Sequence, residues 1–87
     1  MAGNSTPESP ILLMSDIALD LLGLKCPLPA LKTRKALKGL PAGAVLVVTA
    51  NDPLAGLDIP NLIRETGDRL ESSEQQGDRL IFRIIKT

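Results

Sequence analysis

The sequence predicts an α/β (α+β) fold, a two-layer sandwich of order βαβαββ with two helices on one face of a mixed four-stranded sheet. Strand patterns predict the sheet: an alternating segment near the start, a continuously apolar run in the middle and two short segments at the end. Two segments of helical periodicity separate them. Eighty-seven residues allow one small domain. We expect residues 16–87 to form it and residues 1–15, rich in Ser and Pro, to be a flexible tail.

The first strand is followed closely by the first helix. In residues 16–21, large apolar side chains at every second position alternate with two aspartates and an alanine, as in a half-buried strand. Cys26 then stands where a helix begins, because Pro27 suits the first helical position. One face of this helix is basic, and the core face comprises Ala30, Thr33, Ala36, Leu37 and Leu40. Gly39, with Pro41 two residues later, ends the helix.

The rest of the chain supplies three strands and a second helix. Residues 44–50 are apolar and β-branched, which is typical of a central buried strand parallel to the first. Asp58 is a good N-cap for a short helix through Glu65 that ends at Gly67. The last two strands form a hairpin around Gly77-Asp78. Apolar residues on both faces of the second and fourth strands predict an uncovered sheet face, suited to a dimer or a partner.

The composition argues against several classes of function. Ten basic residues balance ten acidic ones, so bulk charge predicts neither a nucleic-acid nor a membrane partner. Histidine is absent and Phe82 is the only aromatic residue, which removes the usual catalytic base and any platform for stacking nucleobases. One cysteine without histidine makes neither an internal disulfide nor a zinc site. We therefore expect a cytoplasmic protein with no cofactor and no metal.

The single cysteine lies in the stretch Leu24-Lys25-Cys26-Pro27-Leu28-Pro29. At a helix N-terminus beside Lys25, its thiol pKa should fall below the ordinary value. Pro27 and Pro29 restrict the backbone and so hold the sulfur in one place. Without a second cysteine or a histidine, the chemistry left is to accept a group from another protein and pass it on. The alternative is a cysteine packed as a small hydrophobic residue.

Several side chains near the thiol are candidate partner contacts. Leu28 falls on the basic side of the first helix and should be exposed. Half of the basic residues lie in one stretch without an acid: Lys25, Lys32, Arg34, Lys35 and Lys38. They form either a solvated helix face or a surface that attracts acidic partners. Asp52 either shapes its loop through an Asx-type turn or contacts a partner, and Asp58 either caps its helix or contacts a partner.

Two motifs resemble those of the TusA/SirA/YedF sulfur-carrier family. Cys26-Pro27-Leu28-Pro29 is similar to the CPxP signature of that family. Asn51-Asp52-Pro53 and Asp58-Ile59-Pro60 are similar to its acidic loop and to the DIP segment that opens its second helix. The similarity runs from about Ile17 to Ile85, with both motifs at the family's spacing. It therefore covers nearly all of the chain except the tail.

The resemblance implies that residues 16–87 form a sulfur-carrier domain in which Cys26 accepts sulfane sulfur as a persulfide. The implied donors are cysteine desulfurases or rhodanese-type proteins, and the implied acceptors include DsrE-type relay proteins, leading to tRNA thiolation or sulfur metabolism. Such a carrier transfers a group between proteins and has no turnover of its own.

Two departures from the family pattern concern the choice of partner. Leu28 stands where members often carry Glu, and Leu62-Ile63-Arg64 where they often have an aromatic residue or a cysteine. The alternative function is a regulatory protein-interaction module in which Cys26 is a redox-sensitive contact.

Overall fold

The computed structural model describes residues 16–87 and confirms the predicted order of elements. These are β1 (Asp16–Asp20), α1 (Leu28–Lys38), β2 (Val45–Ala50), α2 (Ala55–Thr66), β3 (Arg69–Gln76) and β4 (Arg79–Ile85). Neither helix of this part of the chain is long and apolar enough to cross a bilayer. The tail predicted for residues 1–15 lies outside the described residues.

The four strands form one mixed sheet in the order β1-β2-β4-β3. β1 and β2 are parallel, as predicted, and β4 pairs antiparallel with both β2 and β3. The β3–β4 hairpin turns at Gly77, whose φ of 63° favours glycine. Because α1 follows β1 and α2 follows the parallel strand β2, both helices begin beyond the same end of the sheet. This topology brings the β1–α1 and β2–α2 loops together.

A single apolar core lies between the helices and the sheet. Alternate residues of β2 and β4 face it, as the two-residue period of a strand requires. Its buried members from the strands and helices include Leu46, Val48, Phe82, Ile84, Leu37, Ile59 and Ile63. Thr33 is also buried, and its hydroxyl donates a hydrogen bond of 2.7 Å to the Pro29 carbonyl oxygen. This bond satisfies a polar group that would otherwise be costly to bury.

The other face of the sheet carries an arginine among apolar side chains. The Arg83 guanidinium pairs with Asp16 at 3.1 Å and with Glu71 at 2.6 Å, and so reaches both edge strands. Half-buried apolar residues from the central strands surround it: Val45, Val47, Ile81 and Ile85. Apolar residues therefore occupy both faces of these strands, and their use in a dimer or by a partner stays a prediction.

The first helix starts one residue later than predicted. α1 begins at Leu28, which places Pro27 at the N-cap and Pro29 at the second helical position. Cys26 therefore precedes the helix by two residues instead of standing at its start. The predicted end is correct, because the Gly39 N–H closes the last turn by donating to the Ala36 carbonyl oxygen at 3.2 Å.

The second helix starts four residues earlier than predicted, which is about one turn, so the assignment of Asp58 as its N-cap is wrong. α2 begins at Ala55, and the first turn is started by the Asp52 carbonyl oxygen, which accepts the Ala55 N–H at 2.9 Å. Asp58 lies inside the first turn, and Pro60 lies within the helix. The predicted end is correct, with Gly67 left-handed at φ 83°.

The core predicts how two leucines of α1 contribute to stability. Leu37 is 1% exposed, so Leu37→Ala should lower the free energy of unfolding by about 2–5 kcal/mol through lost burial and a cavity. Leu31 is 53% exposed, and Leu31→Ala should change it by no more than about 0.5 kcal/mol. Urea unfolding followed by far-UV circular dichroism measures both. Equal losses for the two variants would contradict this assignment of the core.

Candidate functional site: a thiol between two carboxylates

The Cys26 side chain is exposed in the loop between β1 and α1. The alternative of a cysteine packed as a small hydrophobic residue is therefore wrong. The Cys26–Pro27 peptide bond is cis. Around it, the Leu28 N–H donates to the Lys25 carbonyl oxygen at 2.8 Å, and the Leu31 N–H donates to the Pro27 carbonyl oxygen at 3.1 Å. These bonds close a tight turn that leads directly into the helix.

The β2–α2 loop holds this turn through two side chains. Asp52 is only 6% exposed, and its Oδ2 accepts the Cys26 N–H at 2.5 Å. Its Oδ1 accepts the Leu54 N–H at 3.3 Å, which is the predicted Asx-type turn. The neighbouring Asn51 Oδ1 accepts the Gly23 N–H at 2.9 Å. The two loops are thus joined at Gly23 and at the backbone of the cysteine itself.

A second carboxylate contacts the sulfur itself. The Cys26 thiol donates a hydrogen bond to Asp58 Oδ2, with Sγ and Oδ2 2.9 Å apart. Asp58 is half-buried in the first turn of α2. The early start of this helix is what allows the contact, because an aspartate at the N-cap would turn its carboxylate toward its own helix. Asp58 is therefore bonded to the thiol instead of capping α2.

These carboxylates raise the pKa of the Cys26 thiol above its ordinary value. The main cause is the hydrogen bond to Asp58, with further contributions from desolvation and from the charges of Asp58 and Asp52. The predicted lowering of the pKa is therefore wrong. It considered Lys25 and the helix dipole, but Asp58 accepts a hydrogen bond from the sulfur and Asp52 accepts one from the backbone N–H of the same residue. This shift favours the protonated thiol over the thiolate.

The thiol opens into a groove between the two helices. The groove has a volume of about 350 Å³, and its lining residues are Cys26, Pro27, Ala30, Leu31, Arg34, Asp58, Asn61, Leu62 and Glu65. Across it, the Arg34 guanidinium pairs with the Glu65 carboxylate at 3.1 Å. Because both partners are exposed, this pair contributes little to stability. The groove is large enough for a side chain of a docked protein to approach the sulfur.

The predicted partner contacts fall into two groups. Asp52 and Asp58 lie at the thiol, as described above. Four others are exposed on the turn and along α1: Lys25, Leu28, Lys32 and Lys35. Lys38 is exposed at the end of the same helix, whereas Arg34 is paired across the groove. The basic residues therefore lie on the turn and along α1, whereas the side chain bonded to the sulfur is acidic.

Sequence reasoning named Asp58 as a candidate contact but missed Asn61 and Glu65 on the α2 side of the groove. Asp58, Asn61 and Glu65 lie three and seven residues apart, which places them on one helical face once the helix begins at Ala55. This spacing could have identified the shared face from the sequence, but the helix was predicted to begin only after Asp58, which concealed it. It also missed three exposed leucines at or near the helix starts: Leu31, Leu54 and Leu57. Leu28 is likewise exposed at the start of α1, and we use the term apolar rim for these four leucines.

The fold and the site define a class of protein: a small α/β domain that presents one exposed thiol where two helices begin. The family model described as sulfurtransferase TusA matches residues 17–86, and the chain belongs to this family. This chain is 39% identical over 72 residues to the sulfur carrier protein TusA of Allochromatium vinosum, and the match covers 83% of this chain and 95% of that protein. The family model and this relative support a sulfur-carrier role.

The fold is also that of a solved relative. The crystal structure of a SirA-like protein from Desulfitobacterium hafniense matches with a TM-score of 0.69 and 26% sequence identity. The match covers 78% of this chain and 93% of that one. The resemblance drawn from the two sequence motifs is thereby confirmed.

The hydrogen bonds of Asp52 predict a structural role for this carboxylate. Asp52→Ala leaves the N–H groups of Cys26 and Leu54 without their acceptor, so the free energy of unfolding should fall by about 2 kcal/mol. Glu74→Gln, at an exposed position of β3, should change it by less than about 0.5 kcal/mol. Urea unfolding compares the two. An Asp52→Ala protein as stable as the native one would show that the loops need no such bond.

Proposed function

We propose that this protein carries sulfur as a persulfide on Cys26 and relays it from a donor protein to an acceptor protein. The observation that supports this most strongly is the exposed Cys26 thiol, held at the starts of two helices in a member of the TusA family. The proposed donors are cysteine desulfurases or rhodanese-type proteins. The proposed acceptors are DsrE-type relay proteins that serve tRNA thiolation or sulfur metabolism.

Loading requires only thiol chemistry. The Cys26 sulfur attacks the outer sulfur of a donor persulfide, so that a new S–S bond forms on Cys26 and the S–S bond of the donor breaks. The donor leaves as a thiol, the proton lost from Cys26 balances its charge, and the sum of oxidation states is unchanged. Unloading repeats the exchange with Cys26 as the leaving thiol. Neither step draws on a cofactor.

The local backbone supports a fixed position for the sulfur. Pro27 and Pro29 restrict the chain on one side, and the Asp52 hydrogen bond restrains the Cys26 N–H on the other. In-line attack on a persulfide needs the reacting atoms at a defined separation and angle, so a restrained sulfur lowers the entropy lost on reaction. We assign these three residues to positioning, with Asp52 engaged by the backbone instead of by a partner.

The surroundings of the thiol suit a protein partner. The apolar rim offers exposed leucines from both helices, as the central part of an interface does. Outside it, Lys25, Lys32 and Lys35 supply positive charge that would attract an acidic partner surface and increase the association rate. We therefore propose that donor and acceptor dock on the rim in turn.

Intact mass spectrometry tests the carrier function. After incubation with a cysteine desulfurase and cysteine, the native protein should gain one sulfur atom, about 32 Da, which a reductant removes. Cys26→Ser is the matched control and should gain nothing. Absence of a gain with the desulfurase, a rhodanese and a low-molecular-weight persulfide would overturn the proposal. The regulatory interaction module would then be the better account of the apolar rim.

A further inference from the structure

The contact between Asp58 and the sulfur depends on a proton. Asp58 Oδ2 accepts the thiol hydrogen at a Sγ–Oδ2 distance of 2.9 Å, which is a bonded distance only while the sulfur is protonated. A thiolate at that position would face the carboxylate as a like charge and be repelled. The contact therefore belongs to the empty, protonated form of the protein.

Loading Cys26 with a second sulfur removes the proton on which its hydrogen bond to Asp58 depends. In a persulfide, Sγ is bonded to Cβ and to the outer sulfur, so Sγ has no hydrogen to donate. The outer sulfur carries the acidic proton and becomes negatively charged when it ionises. An anion there faces both carboxylates at the site, Asp58 on α2 and Asp52 in the β2–α2 loop. The same carboxylate that holds the empty thiol thus repels the loaded group.

We propose that Asp58 is a positioning residue that distinguishes the empty carrier from the loaded one: it keeps the empty thiol as S–H and turns the persulfide outward. This inference rests on the proposed carrier function. It assigns Asp58 to the control of the sulfur, whereas its sequence position suggested a helix cap or a partner contact. The empty protein then resists alkylation and stray disulfide exchange, and the loaded protein presents a reactive outer sulfur.

The other charged groups near the sulfur do not neutralise the two carboxylates. Lys25 is the neighbour of Cys26 in the chain and is exposed. Arg34 lines the groove from α1, but its guanidinium is paired with Glu65 from α2 at 3.1 Å. Asp52 is held by two backbone N–H groups, so its charge stays in place. Asp58 is the group whose bond to the thiol depends on the state of the sulfur.

The first arm of the test measures the reactivity of the empty thiol with iodoacetamide as a function of pH. Asp58→Asn keeps the size of the side chain and removes its charge, which should lower the thiol pKa. The thiolate fraction near neutral pH then rises by more than the nucleophilicity of each thiolate falls, so alkylation should be about threefold faster. Glu74→Gln controls for the loss of a distant carboxylate and should react like the native protein.

The second arm repeats the alkylation after loading with a low-molecular-weight persulfide, and intact mass identifies the modified species. The loaded form of Asp58→Asn should react at nearly the native rate, because its outer sulfur is already largely ionised at neutral pH. The ratio of loaded to empty reactivity should therefore fall about threefold in this variant. A peptide covering Leu24–Leu28 gives the thiol pKa without Asp58, and the native protein should titrate above it even if the variant folds poorly.

The outcomes separate this inference from the carrier proposal. A native thiol that titrates like the peptide, or unchanged alkylation in Asp58→Asn, would overturn the inference. Equal acceleration of the empty and loaded forms would also overturn it, because Asp58 would then act on both states alike. If protein donors fail but the small persulfide loads Cys26, the proposed donors are wrong while the role of Asp58 is still measured. If no persulfide forms at all, both proposals fail.

Discussion

The hydrogen bond from the Cys26 N–H to the buried Asp52 carboxylate is the interaction on which the site depends. It joins two loops that are 26 residues apart in sequence. The parallel pairing of β1 and β2 makes this possible, because each strand delivers its following loop to the same end of the sheet. Once the loops are joined, the starts of α1 and α2 flank one exposed sulfur, and Asp58 reaches it from the second helix.

The site combines acidic groups at the sulfur with basic and apolar groups around it. A carrier must hold a reactive atom between two encounters without losing it to other molecules. A thiol protonated by its surroundings is a weak nucleophile, since the thiolate is the reactive species. The apolar rim and the lysines of α1 have a different role, because they contribute to the docking of a partner and not to the reactivity of the sulfur. Reactivity and recognition are thus assigned to separate residues.

The sequence was sufficient for the order of elements, because each strand and helix carries its own pattern of apolar and polar residues. The apolar run of β2 and the buried face of α1, with Thr33 and Leu37, could be identified without a structure. The start of α2 could not, since Gly56 and Pro60 look like loop and helix-start signals, whereas both lie within the helix. The direction of the thiol pKa was also out of reach. It depends on Asp58, which is 32 residues away and is brought to Cys26 only by the fold.

Following labelled sulfur through the protein tests the central claim most directly. Radioactive sulfur from labelled cysteine and a desulfurase is loaded onto the native protein, the donor is removed, and a DsrE-type acceptor is added. The account predicts that label appears on Cys26 and then moves to the acceptor in equal amount, with Cys26→Ser carrying none. Label that stays on Cys26 in the presence of a series of such acceptors, or that reaches them equally well through Cys26→Ser, would contradict a relay through this thiol.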